Sequence, residues 1–172
     1  MKQTRWDIFC RVIDNFGDIG VCWRLARQLA REHGVQPRLW VDDLKVAAKL
    51  LPSHGMGLDR QIIEGVEIRE WPKAEDVFED ETPAEVVIEA FACELPGAYI
   101  RQMKTSNPVW INLEYLSAEA WIHDFHARPS IHPATGLKKT CFFPGFTAQT
   151  GGLLREQGIA NARAKFNPMK FW

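Results

Sequence analysis

Asp14 and Asp18 flank a single glycine-bearing turn, Asp14-Asn15-Phe16-Gly17-Asp18-Ile19-Gly20, and are the strongest chemical feature of this chain. Two carboxylates at one turn can grip a cation and accept a proton from it. The glycines point to a second partner. Gly17 and Gly20 would let backbone approach an anion, with the N–H groups of a helix start facing it. Carboxylates repel a phosphate unless they serve chemistry beside it, so Asp14 and Asp18 call for a role of their own at this turn. Gly17-x-x-Gly20 alone is unspecific. It lacks the GxGxxG fingerprint of a dinucleotide site, and no Gly-Lys-Ser/Thr follows as in a P-loop.

The turn must be held by its neighbours. Trp6–Ile13 is an apolar run that predicts a buried strand. After the turn, Val21, Trp23, Leu25, Ala26, Leu29 and Ala30 recur at helical spacing from about Ile19, with Gly34 as the stop. Further strands are expected over Pro37–Asp42, Val66–Trp71, Glu85–Phe91, Val109–Tyr115 and Thr140–Phe146. Helices are expected over Leu44–Leu51 behind an Asp43 cap, from Pro96 to about Lys104, and over Ala118–Phe125 behind Ser117. Residues 52–57 and the acidic stretch 73–83 read as loops. The order is largely alternating βα, with one ββ step around Trp71. That predicts a Rossmann-like α/β fold: an open, mainly parallel sheet with helices on both faces.

In such sheets ligands gather beyond the carboxyl ends of the strands. The residues expected there are Asp14 and Asp18, Asp42 and Asp43, Glu89, Glu114 with Tyr115, and Thr147. For Asp43 a helix cap is the preferred role. Other chemistries find little support. His123-x-x-His126 and His132 lack a well-placed carboxylate or cysteine, so no metal site is expected. There is no Gly-x-Ser-x-Gly elbow, and Cys22 lies within an amphipathic helix where packing explains it. Of the seven tryptophans, Trp23, Trp40, Trp71, Trp110 and Trp121 mostly follow core patterns. Thr147-x-x-Thr150-Gly151-Gly152 reads as a loop packing against a neighbouring domain.

Bulk properties set the limits. The 172 residues suit one domain or a domain with a short appendage, and 46% hydrophobic with 25% charged residues is ordinary for a globular protein. A net charge of −1 provides no basic field for nucleic acid or an anionic membrane. No apolar run nears the ~20 residues of a membrane span, and the N-terminus has no signal-peptide pattern, so a cytoplasmic protein is expected. Cys10, Cys22, Cys93 and Cys141 are widely spaced and read as free thiols, mostly buried.

Three blocks go beyond generic α/β patterning: Ile13–Arg27 around the aspartate turn, Asn112–Glu119, and Phe142–Thr147 with Thr150–Glu156. They resemble the bacterial protein-arginine rhamnosyltransferase family EarP, with Glu89–Pro96 as a fourth similar block. The resemblance implies a glycosyltransferase of the GT-B type, in which two Rossmann-like domains face each other across a cleft. It further implies transfer of L-rhamnose from dTDP-β-L-rhamnose, with inversion, to an arginine of translation elongation factor P, without a cofactor. On the family pattern Asp18 is the catalytic base and Asp14 a second essential carboxylate. Asn15, Phe16, Gly17, Gly20, Glu114 and Tyr115 fall on the substrate-binding segments. Family members are longer, so residues 1–156 correspond to the N-terminal, acceptor-side domain. Residues 157–172 would be a tail or the start of a linker to a donor-binding domain, and Asn161–Trp172 matches no recognisable pattern. The chain alone is expected to be nearly inactive. A non-catalytic Rossmann-like module that binds elongation factor P or a nucleotide is the alternative.

Overall fold

Parallel pairing of short, largely apolar strands builds the inner sheet of this chain. The computed structural model describes residues 4–14, 16–51, 60–71, 78 and 81–170. The elements are β1 (Arg5–Cys10), α1 (Gly17–His33), β2 (Gln36–Val41), α2 (Leu44–Leu50), β3 (Arg60–Ile63), β4 (Val66–Glu70), β5 (Val86–Ala90), α3 (Gly97–Ser106), β6 (Val109–Leu113), α4 (Ile122–Phe125), β7 (Pro129–Ile131), β8 (Lys138–Phe142) and α5 (Ile159–Lys165), closed by a 3-10 turn at Pro168–Lys170. The strands form one sheet in the order β3-β4-β2-β1-β5-β6-β8-β7. The inner pairs are parallel and the edge strands β3 and β7 run antiparallel to their neighbours.

Period-two alternation divides the core. Ile8 and Cys10 of β1 join Leu39, Val41, Ile88 and Ala90 beneath α1, which buries Ile19, Cys22, Trp23, Ala26 and Leu29. Phe9, Trp40, Val87 and Trp110 face the other way, against Ala98, Tyr99 and Met103 of α3. Helices therefore cover both faces, as expected. The thiols of Cys10, Cys22 and Cys93 are free and buried, and Cys141 is free and half-buried. Trp23, Trp40, Trp71 and Trp110 are buried, whereas Trp121 is exposed. Among the described residues no helix is long and apolar enough to cross a membrane.

The departures from expectation have local causes. β1 stops at Cys10 rather than Ile13 because the next N–H groups leave the ladder. Val12 donates to Asp42 Oδ1 at 2.8 Å, and Ile13 and Asp14 both donate to Asp18 Oδ2 at 3.0 Å. β3 is an additional strand, paired to β4 through Glu64-Gly65, where φ is positive at both residues, as a tight hairpin turn requires. The helix expected over 118–125 shrinks to the single turn of α4. Ser117 Oγ accepts from Glu119 N, so it organises a local turn upstream of the helix. β8 runs over Lys138–Phe142 rather than 140–146, since Pro144 lacks an N–H for the ladder, and β7 pairs at its outer edge. The expected loop 52–57 lies outside the described residues.

The Gly151-Gly152 segment packs on this chain's own elements. A Cβ on Gly151 would lie 2.2 Å from the Phe142 ring, and Gly151 N donates to Phe143 O at 2.9 Å. Beyond it, Arg24 of α1 holds Glu156 through two hydrogen bonds of 2.7 and 2.8 Å, and Gln28 reaches Arg155 O. A polar core that composition does not reveal lies on the α3 face. Asp7 is fully buried and accepts from Arg38 (2.5 and 2.6 Å), Ala84 N (2.9 Å) and the Tyr99 hydroxyl. It locks β1, β2, α3 and the approach to β5 together.

Candidate functional site

The chain leaves β1 for β2 on one side and later returns to place β5 on the other. β1 and β5 are thus the switch point of the sheet, where loops at their carboxyl ends separate and leave a crevice. Residues 11–16 follow β1, 91–96 follow β5, and 114–121 follow the neighbouring β6. The aspartate turn occupies the first of these loops.

Asp18 lies in the first turn of α1 and is 1% exposed. Its Oδ2 accepts the N–H groups of Ile13 and Asp14, and its Oδ1 accepts the Tyr115 hydroxyl at 2.9 Å. A buried carboxylate needs such donors to remain charged. A carboxylate has about four lone-pair sites, so three donors leave Asp18 one further acceptor position. Asp14, one helical turn earlier, is exposed. The two side chains thus differ in setting: Asp18 is fixed within the turn and Asp14 stands on the rim.

Gly17 has a reason distinct from anion approach. A Cβ there would sit 3.1 Å from Asp14 Oδ2, so the missing side chain makes room for the Asp14 carboxylate. Its N–H donates to Asp14 O at 2.8 Å, and Gly20 N donates to Phe16 O at 2.9 Å. Gly20 faces Leu50 from within α1, where a Cβ would meet only ordinary contact. Neither of these N–H groups is therefore spare for an anion. Phe16 is exposed on the rim. Asn15 lies outside the described residues.

Glu114 and Tyr115 leave the end of β6 together. Glu114 accepts from the Asn112 side-chain amide, whose Oδ1 accepts Ala92 N at 3.2 Å. Tyr115 stacks on Phe91 with ring centroids 4.2 Å apart and planes 13° from parallel. Partial burial and the hydrogen bond to Asp18 push the Tyr115 phenol up to about 12, so it stays a neutral donor at neutral pH.

Other expected rim residues are engaged elsewhere. Asp43 caps α2 by accepting Lys45 N and Val46 N, the role preferred for it. Asp42 holds Val12 N. Glu89 is buried on the α3 face in an ion pair with Lys139 at 3.0 Å, on the side of the sheet opposite α1. His123 meets Thr147 Oγ1 at 3.0 Å, His126 accepts Phe143 N, and His132 pairs with Thr135, so the three histidines serve three separate contacts. Hydrogen bonding to Cys22 and burial push the Cys10 thiol up, and burial does the same to Cys93, which leaves both poor nucleophiles. Phe91 is the site residue that spacing and composition overlooked, because its contact with Tyr115 depends on a backbone reversal that no motif announces.

An open, mainly parallel sheet of this order, covered on both faces and carrying an aspartate pair at its switch point, defines a Rossmann-like α/β domain of the kind found in glycosyltransferases. Comparison with known proteins narrows that class. The family described as Elongation-Factor P (EF-P) rhamnosyltransferase EarP matches residues 6–171, and the chain belongs to this family. It is 52% identical over 168 residues to the protein-arginine rhamnosyltransferase of Pseudomonas putida, covering 96% of this chain and 43% of that protein. It is also 52% identical over 166 residues to the same-named protein of Pseudomonas aeruginosa, covering 95% and 43%. The counterpart in Shewanella oneidensis is 47% identical over 167 residues, covering 92% and 41%. The chain therefore spans about two fifths of the length of these curated relatives. The family match includes all but the last residue of the tail that sequence patterning left unplaced.

Proposed function

We propose that this chain is the acceptor-side part of a protein-arginine rhamnosyltransferase, transferring L-rhamnose from dTDP-β-L-rhamnose to an arginine of translation elongation factor P in the cytoplasm. The observation that carries the reading is the aspartate pair at the switch point of a chain belonging to this family: a fixed, hydrogen-bonded Asp18 beside a rim-exposed Asp14. A guanidinium is protonated at every cellular pH, and its lone pairs are delocalised, so it is a poor nucleophile until oriented and relieved of a proton. Asp14 would engage the cation from the rim. Asp18 would accept one N–H at its remaining acceptor position and take that proton as the nitrogen attacks the anomeric carbon. The bond from that carbon to the dTDP oxygen breaks on the opposite face, inverting the configuration, and the electron pair leaves with the pyrophosphate. Asn15, Phe16, Gly17, Gly20, Glu114 and Tyr115 would line the substrate side. The part of the relatives beyond the matched region would supply most of the nucleotide pocket in a GT-B arrangement, with residues 1–156 as the acceptor-side domain.

The test joins this chain to the remaining length of the Pseudomonas putida relative and follows transfer and factor binding separately. Asp18→Asn should bind elongation factor P with unchanged affinity while losing about 10²–10⁴ in rate, the contribution typical of a general base. Wild-type turnover in that variant would remove Asp18 from the role. The alternative of a binding module without catalysis predicts factor binding by the chain and no transfer in any combination.

A further inference from the structure

Residues 91–94 contain three non-glycine residues in the left-handed region: Phe91 at φ 57°, Ala92 at 51° and Glu94 at 57°. Each such residue is strained and persists only where its surroundings dictate it. Here they do. Phe91 N donates to Leu113 O at 2.6 Å, Ala92 N to Asn112 Oδ1, Cys93 N to Ala90 O and Glu94 N to Glu89 Oε1. The reversal carries the Phe91 ring across to the end of β6, where it lies flat against Tyr115. Tyr115 is 51% exposed, so without this backing its ring would be free to swing into solvent. Its hydroxyl instead holds Asp18 Oδ1, the oxygen that the backbone of the turn leaves open.

We infer that Tyr115, backed by Phe91, is a positioning residue for the Asp18 carboxylate, fixing Oδ1 so that its remaining lone pair is presented to an incoming guanidinium. The inference rests on the reading of Asp18 as the base. Backbone N–H groups fix one carboxylate oxygen and a side-chain hydroxyl the other, so the carboxylate cannot rotate without breaking a hydrogen bond. The Asp18 carboxylate that the hydroxyl touches and the nearby Asp14 carboxylate both favour the neutral phenol. The phenol therefore keeps its proton, and with it the hydrogen bond to Oδ1, at neutral pH.

Tyr115 and Tyr99 are the two tyrosines of the chain, so a carbon-13 tyrosine titration reads the contact directly in the unaltered protein. Tyr115 should titrate near 12, and Asp18→Asn should bring it down toward the ordinary value. Tyr99, buried against Asp7 on the other face, should not respond, which also reports that the variant folds. In the reconstituted enzyme Tyr115→Phe keeps the ring stacked on Phe91 and removes only the hydroxyl. It should lower kcat about 10–100-fold, the worth of one hydrogen bond to a charged group, with KM for the acceptor nearly unchanged. Phe91→Leu should lower kcat in the same direction by less. A Tyr115 midpoint indifferent to Asp18→Asn, or wild-type kcat in Tyr115→Phe, would overturn the inference. Absence of transfer by the reconstituted wild type would instead overturn the reading of Asp18 on which it rests.

Discussion

Asp18→Ala and Asp18→Asn separate what the carboxylate does for the turn from what it does in chemistry. In the folded chain Asp18 accepts from Ile13 N, Asp14 N and the Tyr115 hydroxyl. Asparagine keeps an oxygen for the two backbone donors and turns an NH2 toward Tyr115, whose hydroxyl can reverse and accept. What is lost is charge assistance at all three bonds, about 1 kcal/mol each, offset in part because a charge no longer has to be buried. A net cost of about 1–2 kcal/mol follows. Alanine removes every acceptor. Ile13 and Asp14 are exposed, so their N–H groups can turn to water, which holds the cost to about 2–4 kcal/mol. Urea unfolding at neutral pH measures both, provided the m-value is unchanged and the transition is two-state. The expected order of stability is wild type, then asparagine, then alanine. An alanine variant within about 0.5 kcal/mol of wild type, as for an ordinary surface change, would refute the view that Asp18 holds the turn together.

Three other expectations concern the frame around the site. Gly151→Ala drives a Cβ to 2.2 Å from the Phe142 ring and should cost about 1–3 kcal/mol by overpacking; an unchanged melting temperature would show that the ring gives way freely. The Arg24 guanidinium holds the Glu156 carboxyl down at about 2, below its unfolded value of 4.5. The pair's contribution is therefore complete above about 4.5 and lost as pH falls toward 2. Arg24 is 42% exposed, so solvent screening limits the effect to about 1 kcal/mol. The stability difference between wild type and Glu156→Gln should accordingly vanish in acid, and a pH-independent difference would contradict the assignment. Arg38→Met strands the buried Asp7 carboxylate without its guanidinium and should cost about 3–5 kcal/mol by chemical denaturation; a near-neutral result would mean that Tyr99 and Ala84 N suffice.

The aspartate turn and the parallel inner strands were legible because each rests on local pattern. Continuous apolar runs become central strands, and the α1 stripe converges on Ile19, Cys22, Trp23, Ala26 and Leu29, though Val21 and Leu25 lie at its margin. The edge strands were not legible. β7 is three residues long and all three are exposed, so no hydrophobic period marks it. Strand ends were overextended wherever a side chain took the backbone donor, as Asp42 and Asp18 do after Cys10. The roles of the rim acids divided for the same reason. Side-chain periodicity puts Glu89 on the α3 face with Lys139, whereas Asp18 faces Tyr115 across 97 positions of sequence. Such long-range polar contacts, like the Asp7–Arg38 pair, leave no trace in spacing. The functional identity came from matching blocks of residues rather than from either periodicity or composition.

Intact-mass spectrometry of elongation factor P tests the central claim most directly. The factor is incubated with dTDP-β-L-rhamnose and this chain, with and without the C-terminal portion of the Pseudomonas putida relative. A gain of one deoxyhexose on the factor, confined to the complemented sample and mapped to an arginine, is the predicted result. No gain in the complemented sample, with both parts folded and associated, would contradict the assignment of this chain as the acceptor-side part of the transferase.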